Sequence, residues 1–397
     1  MKFSRRVQSI QPSMTLAIDA KAKELRANGV DVIGFGAGEP DFDTPDKIKQ
    51  SGIEAIEQNA THYTPVGGIE ALKQAIVNKL ERDNNLVYEK SQILVSCGAK
   101  HSFFNLAQVL WEEGDEIIVP APYWVSYPDI IRYVGAKPTI IDTLSANEFK
   151  ITPDQIKAAV TPNTRAIIIN SPSNPTGAAY NKKELEAIAE CALRNNLLIV
   201  SDEIYEKVIF DGFEQHSICT MGEEVQKNSV LINGVSKSYA MTGWRIGYLA
   251  ANKEIVKQAE KLQGQSTSNP TSISQMASIT ALNNAEADVR WMVDEFQKRR
   301  DILLNCLLNI PPVKYYKPVG SFYAFPDFSA FYGKSFEGKK VEGSIQLANF
   351  LLKEGKVALV PGIAFGADKN LRMAFASSVD TIRQGVDRIT QTLGLLE

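Results

Sequence analysis

Cysteine and histidine are scarce in this chain, which has 397 residues but only four cysteines and three histidines. The cysteines are Cys97, Cys191, Cys219 and Cys306, and no two of them have the spacing of a metal site or of a redox pair. The sequence therefore predicts no bound metal ion. It also predicts reduced cysteines, as is usual in a cytoplasmic protein.

Long apolar runs and blocks of like charge are missing as well. No stretch reaches the roughly 18 apolar residues that a membrane helix needs, and the first residues lack the apolar core of a signal peptide. The net charge is only -3, and lysines and arginines are spread along the chain, which argues against a nucleic-acid surface. We therefore expect a cytoplasmic protein that binds neither membranes nor nucleic acid.

Short apolar runs alternate with helical patterns over the first two thirds of the chain. The composition, 44% hydrophobic and 22% charged, is that of a globular protein, and the length allows two domains. The apolar runs lie at 93–96, 116–120, 139–141, 166–170, 197–200, 230–232 and 246–250. This rhythm predicts an α/β fold built on a parallel sheet with crossover helices.

Polar residues lie just beyond the carboxyl ends of several of these predicted strands. Lys100 comes after the first strand, Asn174 after the fourth, Asp202 after the fifth and Lys237 after the sixth. Because open α/β sheets bind ligands beyond the carboxyl ends of their strands, we expect these side chains to meet at one edge. Lys100 stands in the first turn of a predicted helix, where a cation is unfavourable unless an anion is bound nearby.

The stretch 233–247 carries the most specific chemistry. Lys237 follows a strand and a turn, where a partly desolvated neutral amine could attack a carbonyl. Arg245 lies between Trp244 and Ile246, and a guanidinium among apolar neighbours needs an anionic partner such as phosphate. From this stretch alone, a surface lysine and a structural ion pair remain equally good interpretations.

Two further residues have two interpretations each. Trp124, in the aromatic segment 121–127, is either a core residue or a stacking platform. Arg372 lies among apolar or small neighbours in a predicted strand near 371–376, so its charge points either into a cleft or, at a sheet edge, into water. After residue 250 the pattern changes to helices, one of them long (288–308), and then to a second unit of strands and helices.

Six short motifs together indicate a family. They are Ala37-Gly38-Glu39-Pro40-Asp41-Phe42, Pro122-Tyr123-Trp124, Ser173-Asn174-Pro175-Thr176-Gly177, Ser201-Asp202-Glu203-Ile204-Tyr205, Ser236-Lys237 with Arg245, and Arg372. In this order they resemble the class I, fold-type I pyridoxal-phosphate aminotransferases, in the aspartate aminotransferase subgroup that includes prephenate aminotransferases. The resemblance covers nearly the whole chain.

The resemblance implies a division of the chain into two domains. A large cofactor-binding domain, residues 45–285, would hold a mostly parallel sheet with helices on both faces. A smaller α+β domain, residues 286–397, would begin with the long connecting helix, and residues 1–44 would join it, so that both termini form the small domain.

The resemblance also implies how pyridoxal 5'-phosphate is held. Lys237 would bind the cofactor as an imine and then move the proton at the substrate α-carbon. Asp202 would pair with the pyridine nitrogen, Tyr205 and Asn174 would contact the phenolic oxygen, and Trp124 would stack on the ring. The phosphate would be bound by the residues Arg245, Ser236, Ala99, Lys100 and, from the neighbouring subunit, Tyr63.

A further set of residues would bind the substrate. Arg372 would bind the α-carboxylate, assisted by Gly38 and Asn174. One branch of the family binds the distal carboxylate of aspartate with an arginine from the partner subunit, but residues 263–274 contain none here. Lys100 occupies the position that takes this role in the branch resembled. The whole substrate-binding set implied is Gly38, Thr15, Lys100, Trp124, Asn174 and Arg372.

We therefore expect a homodimeric, cytoplasmic aspartate aminotransferase. It would move an amino group between L-aspartate or L-glutamate and 2-oxo acids, such as 2-oxoglutarate and oxaloacetate, by a ping-pong mechanism. The same chemistry on prephenate, aromatic or alanine-type substrates is the first alternative, although Gln11 is uncharged where prephenate-using relatives often carry a lysine. A non-catalytic regulator that binds the cofactor is the second, but the motifs begin within about 40 residues of Met1, which leaves little room for a DNA-binding domain.

Overall fold

The computed structural model describes residues 1–12 and 14–397, with all of their side chains except those of Thr15, Leu16 and Asp19. The strands are β1 (Ile33–Gly34), β2 (Ile93–Ser96), β3 (Glu116–Ala121), β4 (Lys137–Asp142), β5 (Thr164–Asn170), β6 (Leu198–Asp202), β7 (Ser229–Gly234), β8 (Gly247–Ala250), β9 (Tyr323–Ala324), β10 (Ser335–Phe336), β11 (Lys339–Lys340), β12 (Val357–Ala358), β13 (Val360–Pro361) and β14 (Leu371–Ala374).

The helices connect and cover these strands. They are α1 (Arg5–Gln8), α2 (Met14–Ala27), α3 (Asp46–Glu57), α4 (Glu70–Asn84), α5 (Ala99–Leu110), α6 (Ser126–Tyr133), α7 (Pro153–Ala159), α8 (Lys182–Arg194), α9 (Glu223–Lys227), α10 (Lys253–Gln263), α11 (Ser272–Asn284), α12 (Glu286–Leu307), α13 (Ser344–Lys353) and α14 (Val379–Leu393). Within the described residues, none of the helices is long and apolar enough to cross a membrane.

A seven-stranded sheet, in the order β2-β8-β7-β6-β5-β3-β4, carries the larger part of the chain. The pairs from β7 through β6, β5 and β3 to β4 are parallel. The predicted mostly parallel sheet is therefore confirmed. Its exception is β8, which pairs antiparallel with both β7 and β2 because the chain returns from β7 to β8 without a crossover helix.

Helices cover both faces of this sheet. Along β5, Ile167 and Ile169 face one core while Ile168 faces the other, as the alternation of side chains in a strand requires. Helices α4, α8 and α11 contribute apolar side chains to the first core, and α5, α6 and α10 contribute them to the second. Since both faces are buried, the strands are apolar throughout, which is the pattern that the sequence shows.

The second unit combines segments from both ends of the chain. Strands β13, β14 and β9 form an antiparallel sheet, and β1 near the N-terminus pairs in parallel with β12. The Ala374 N–H donates to the Phe35 carbonyl, which ties the N-terminal segment to β14 as well. The predicted α/β fold class is confirmed, and the domain bounds at residues 44/45 and 285/286 stay predictions.

Glycine is required where β8 crosses the start of α5. A Cβ atom on Gly247 would lie 2.1 Å from the Ala99 nitrogen and 2.4 Å from the Gly98 carbonyl carbon. On the other side, β8 pairs with β7 at Gly234, where a Cβ would lie 2.8 Å from the Gly247 Cα. The close approach of backbone to backbone therefore sets the distance between β7, β8 and the N-terminus of α5.

The substitution Gly247→Ala tests this packing. Because the atoms in the way belong to the backbone, we expect a loss of about 3 kcal/mol in the free energy of unfolding, measured as a lower urea midpoint. Gly243→Ala is the matched control, since nothing lies within 4 Å of a Cβ added there. A Gly247→Ala protein that is as stable as the Gly243→Ala protein would contradict the close approach.

Candidate active site

A cavity of about 550 Å³ opens at the carboxyl edge of the sheet. Because β2 and β7 are both antiparallel to β8, they run in the same direction as β5 and β6, and all four strands end on the cavity side. The cavity brings together most of the residues that the sequence predicts: Gly38, Ala99, Lys100, Trp124, Asn174, Asp202, Tyr205, Ser236, Lys237, Arg245 and Arg372.

Lys237 follows β7 in the segment that leads to β8. Its Nζ donates a hydrogen bond of 2.5 Å to the carbonyl oxygen of Gly38. Burial lowers the pKa of this amine to about 8, and Arg372, Arg245 and Lys100 lower it as well, against the opposing effect of Glu39. A substantial fraction of the amine is therefore neutral near pH 8, the form in which an amine attacks a carbonyl.

Asp202 ends β6 and is buried with its carboxylate towards the cavity. The Ile204 N–H donates to Oδ1 at 3.2 Å, and the Tyr127 hydroxyl donates to Oδ2 at 2.6 Å. Burial raises the pKa of Asp202, while these two donors and the charge of Lys237 act in the opposite direction. The carboxylate keeps free lone pairs, so it can accept a further proton donor from a ligand.

Arg372 is the most confined cation of the site. The side chain on β14 is 3% exposed, and its guanidinium lies 4.4 Å from the ring centre of Tyr323. It donates to Asn174 Oδ1 at 3.0 Å and to the Gly36 carbonyl at 2.9 Å, while Nε has no partner among the described residues. This buried charge is left without a carboxylate from the described part of the chain, so an anionic ligand fits there.

The start of α5 and Arg245 form an anion cradle. Gly98, with a φ of 91°, precedes α5, and the Arg245 guanidinium packs against it so closely that a Cβ there would meet Nη2 at 2.5 Å. Among the described residues, Arg245 donates only to the carbonyl groups of Thr242 and Cys97. The Ser236 hydroxyl lies in the same cavity as this helix terminus. A helix N-terminus, a guanidinium and a hydroxyl together suit a phosphate.

Lys100 and Trp124 lie together on the same wall of the cavity. The Lys100 Nζ lies 5.0 Å from the centre of the Trp124 ring. Burial lowers the pKa of Lys100, and the charge of Arg245 lowers it further. Trp124 therefore faces the cavity, although its ring also makes a T-shaped contact with Tyr127 in the core, so both interpretations of this residue hold in part.

Basic residues outnumber acidic ones in the cavity lining. Among the described side chains, six lysines and arginines line it, against the two acids Glu39 and Asp202. The basic residues are Lys23, Arg26, Lys100, Lys237, Arg245 and Arg372. The excess of positive charge favours a ligand that carries several negative charges.

Two predicted residues lie outside this arrangement. Tyr63 is 92% exposed and lines a separate groove with His62 and Thr267, so its predicted contact from a neighbouring subunit stays a prediction. The predicted contact of Thr15 falls on a side chain outside the described residues.

The structure adds residues that the sequence did not point out. Tyr127 donates to Asp202, and Tyr323 shares a hydrogen bond of 3.0 Å with the Tyr205 hydroxyl. Asn170, at the end of β5, accepts from the Asn174 N–H, and Glu39 accepts from Thr242. Tyr127 stands in the aromatic segment 121–127 and Glu39 in a quoted motif, whereas nothing near Tyr323 in the sequence marks it as functional.

Comparison with known proteins gives one consistent result. The model of the family "Aminotransferase class I and II" matches residues 30–389. An aspartate aminotransferase of Geobacillus stearothermophilus is 49% identical over 392 residues, covering 98% of each chain. The solved aspartate aminotransferase of Rhizobium meliloti superposes with a TM-score of 0.97 at 38% identity, covering 100% of each chain. That of Thermus thermophilus with maleate has a TM-score of 0.93 at 39% identity, covering 99% of this chain and 100% of the other. With the family matched over most of its length and the site residues gathered in one cavity, the chain belongs to the class I and II aminotransferases.

Proposed function

We propose that this chain is an aspartate aminotransferase that uses pyridoxal 5'-phosphate and moves the amino group between L-aspartate or L-glutamate and 2-oxo acids by a ping-pong mechanism. The observation that carries the proposal is the shared cavity of Lys237, Asp202 and the anion cradle. The family implies pyridoxal phosphate, and the names of the similar proteins give aspartate as the substrate.

The donor set of the cavity fits pyridoxal phosphate. A phosphate monoester carries a charge near -2, and Arg245 with the start of α5 offers it a full positive charge and about half a charge more. Asp202 would accept a hydrogen bond from the protonated ring nitrogen, because its buried carboxylate lacks a cationic hydrogen-bond partner in the described part of the chain. Asn174 uses its Oδ1 for Arg372, so its Nδ2 remains to donate to the phenolic oxygen, beside the hydroxyl of Tyr205.

Lys237 would then carry out the proton transfer at the bound substrate. Pyridoxal phosphate, when bound, would accept the electrons released as the Cα–H bond of the substrate breaks. Lys237 would hold the cofactor and, once displaced by the substrate amine, take the α-proton and return it. An amine whose pKa is about 8 can act in both directions near neutral pH, since it is neither fully protonated nor a strong base.

The carboxylates of the substrate would be bound at opposite ends. Arg372 would bind the α-carboxylate, with Gly38 and Asn174 beside it, because its charge is buried and otherwise unpaired by an acid in the described part of the chain. Lys100 would bind the distal carboxylate. Maleate, present in the Thermus thermophilus structure, is likewise a four-carbon dicarboxylate, which supports a site that spans two carboxylates.

We further propose that the enzyme is a homodimer with shared active sites. Tyr63 is almost fully exposed and lines a groove separate from the cavity of its own chain. It is therefore available to reach the phosphate of a second copy. The cytoplasmic location stays a prediction from the sequence.

A panel of amino donors tests the substrate. With 2-oxoglutarate as acceptor, we expect aspartate to be used at least about tenfold better than alanine, since one ionic hydrogen bond contributes about 1.5–3 kcal/mol. Arogenate, with oxaloacetate or 2-oxoglutarate as acceptor, reports on the prephenate alternative. A protein that has no activity with aspartate would overturn the proposal.

The variant Lys100→Met tests whether Lys100 recognises the distal carboxylate of the substrate. It keeps the apolar stem beside Trp124 and removes the charge, so kcat/KM for aspartate should fall about tenfold to a hundredfold while that for alanine stays nearly constant. Lys182→Met, at the exposed start of α8, is the matched control. Equal losses for both substrates would remove Lys100 from substrate recognition.

The variant Lys237→Ala tests the role of the amine. Without it, the visible absorbance of the covalently held cofactor and multiple turnover should both be lost. Lys227→Ala removes an exposed lysine paired with Glu223 and should change neither. If Lys237→Ala still catalyses multiple turnovers, Lys237 is not the base. If the parent protein binds the cofactor but shows no turnover, the result favours the non-catalytic regulator.

The lowered pKa of Lys237 can be measured directly. After removal of bound carbonyl compounds with hydroxylamine, an amine-directed acylating reagent should modify Lys237 with a half-maximal rate near pH 8, because the neutral fraction grows as the pH rises through the pKa. Neighbouring acids raise the pKa of Lys227, so its modification should need a higher pH. Mass spectrometry of the modified peptides distinguishes the two, and identical profiles would refute the lowered pKa.

A further inference from the structure

Tyr127 is a buried tyrosine whose hydroxyl group faces the key carboxylate of the cavity. It stands in the first turn of α6, is 2% exposed, and donates a hydrogen bond of 2.6 Å to Asp202 Oδ2. Burial raises the pKa of this hydroxyl well above its usual range, and the Asp202 charge adds to the effect. The hydroxyl therefore remains a proton donor over the whole physiological range of pH.

The direction of this hydrogen bond matters for Asp202. Burying a charged carboxylate is unfavourable unless hydrogen-bond donors stabilise it. Within the described residues, Tyr127 is the only side chain that donates a hydrogen bond to Asp202. The second donor is the Ile204 N–H on the other oxygen. One donor on each oxygen fixes the plane of the carboxylate and leaves a lone pair on each oxygen for a ligand.

The ring of Tyr127 is itself held by aromatic neighbours. Its centre lies 5.1 Å from that of Trp124, nearly perpendicular at 83°, and 5.1 Å from that of Phe103 at 65°. The Tyr127 N–H also donates to the Trp124 carbonyl. Phe103 belongs to α5, the helix that begins at the anion cradle. Tyr127 thus connects the residue proposed to stack on the cofactor, the helix proposed to bind its phosphate and the acid proposed to meet its ring nitrogen.

We propose that Tyr127 is a positioning residue, which orients the Asp202 carboxylate towards the ring nitrogen of bound pyridoxal phosphate and stabilises its negative charge. This inference rests on the proposed function. Tyr127 acts through Asp202, since its hydroxyl is already used by that carboxylate. Without the hydroxyl, the shared proton would move from the ring nitrogen towards Asp202, and the ring would become a weaker acceptor of electrons.

The variant Tyr127→Phe tests the inference because it removes one oxygen and keeps the aromatic packing. In the holoenzyme, the dissociation constant for pyridoxal phosphate, measured by absorbance titration, should rise about tenfold, as expected for losing a hydrogen bond to a charged group. With ¹⁵N-labelled cofactor, the chemical shift of the ring nitrogen should move towards the unprotonated form. This shift reports on the proton itself and needs no turnover.

Two comparisons separate positioning from a general structural effect. Tyr180→Phe also removes a buried tyrosine hydroxyl, one that accepts from the Ile151 N–H and is not among the hydrogen-bond donors to Asp202, and should leave the ¹⁵N shift unchanged. In an Asp202→Asn background, Tyr127→Phe should weaken cofactor binding much less than it does alone, because residues that act through one another are not additive.

The outcomes distinguish this inference from the function on which it rests. If the parent protein binds no pyridoxal phosphate and transfers no amino group, both proposals fall. If the parent does both, and Tyr127→Phe keeps its cofactor affinity and its ¹⁵N shift, only the role of Tyr127 falls. An effect of equal size in Tyr180→Phe, or full additivity with Asp202→Asn, overturns it as well.

Discussion

Positive charge that is not matched by acids in the described part of the chain is the constraint on which the site depends. Arg372 is buried against Tyr323 without an acidic partner in the described part of the chain, and Arg245 is packed against Gly98 at the start of a helix. Burial is the largest cause that lowers the pKa of the Lys237 amine to about 8, and the charges of Arg372 and Arg245 act in the same direction. The charges that suit an anionic cofactor and substrate therefore also contribute to the lowered pKa of the amine that we propose as the nucleophile.

The backbone places these charges through strand direction and close packing. Strands β2, β5, β6 and β7 all end at one edge, so residues far apart in the chain open into one cavity. The antiparallel β8 lies between β2 and β7, and Gly247 lets it touch the first residues of α5. This contact sets the distance between the segment that carries Lys237 and the helix terminus beside Arg245. The spacing within the anion cradle is thus a consequence of backbone packing.

Much of this arrangement could be predicted from the sequence because it is local. The proposed site residues Asn174, Asp202 and Lys237 each lie at or a few residues beyond the end of an apolar run, and the bounds of β2 were predicted without error. The direction of β8 could not be predicted, since a strand buried on both faces has the same apolar pattern whether it runs parallel or antiparallel. Strand direction follows from the connection before it, and the segment between β7 and β8 has no pattern that excludes a crossover.

The tyrosines that support the site show where local patterns stop being informative. Tyr323 lies on the short strand β9, more than a hundred residues from Tyr205, whose hydroxyl it meets. Tyr127 could be recognised as unusual for a loop, but its partner Asp202 is identified only by the fold. A residue that touches the ligand must have the right chemistry, so a motif shows it. A residue that orients such a group needs only a hydroxyl at the right place, which any element of the fold can supply, and its role becomes visible only in three dimensions.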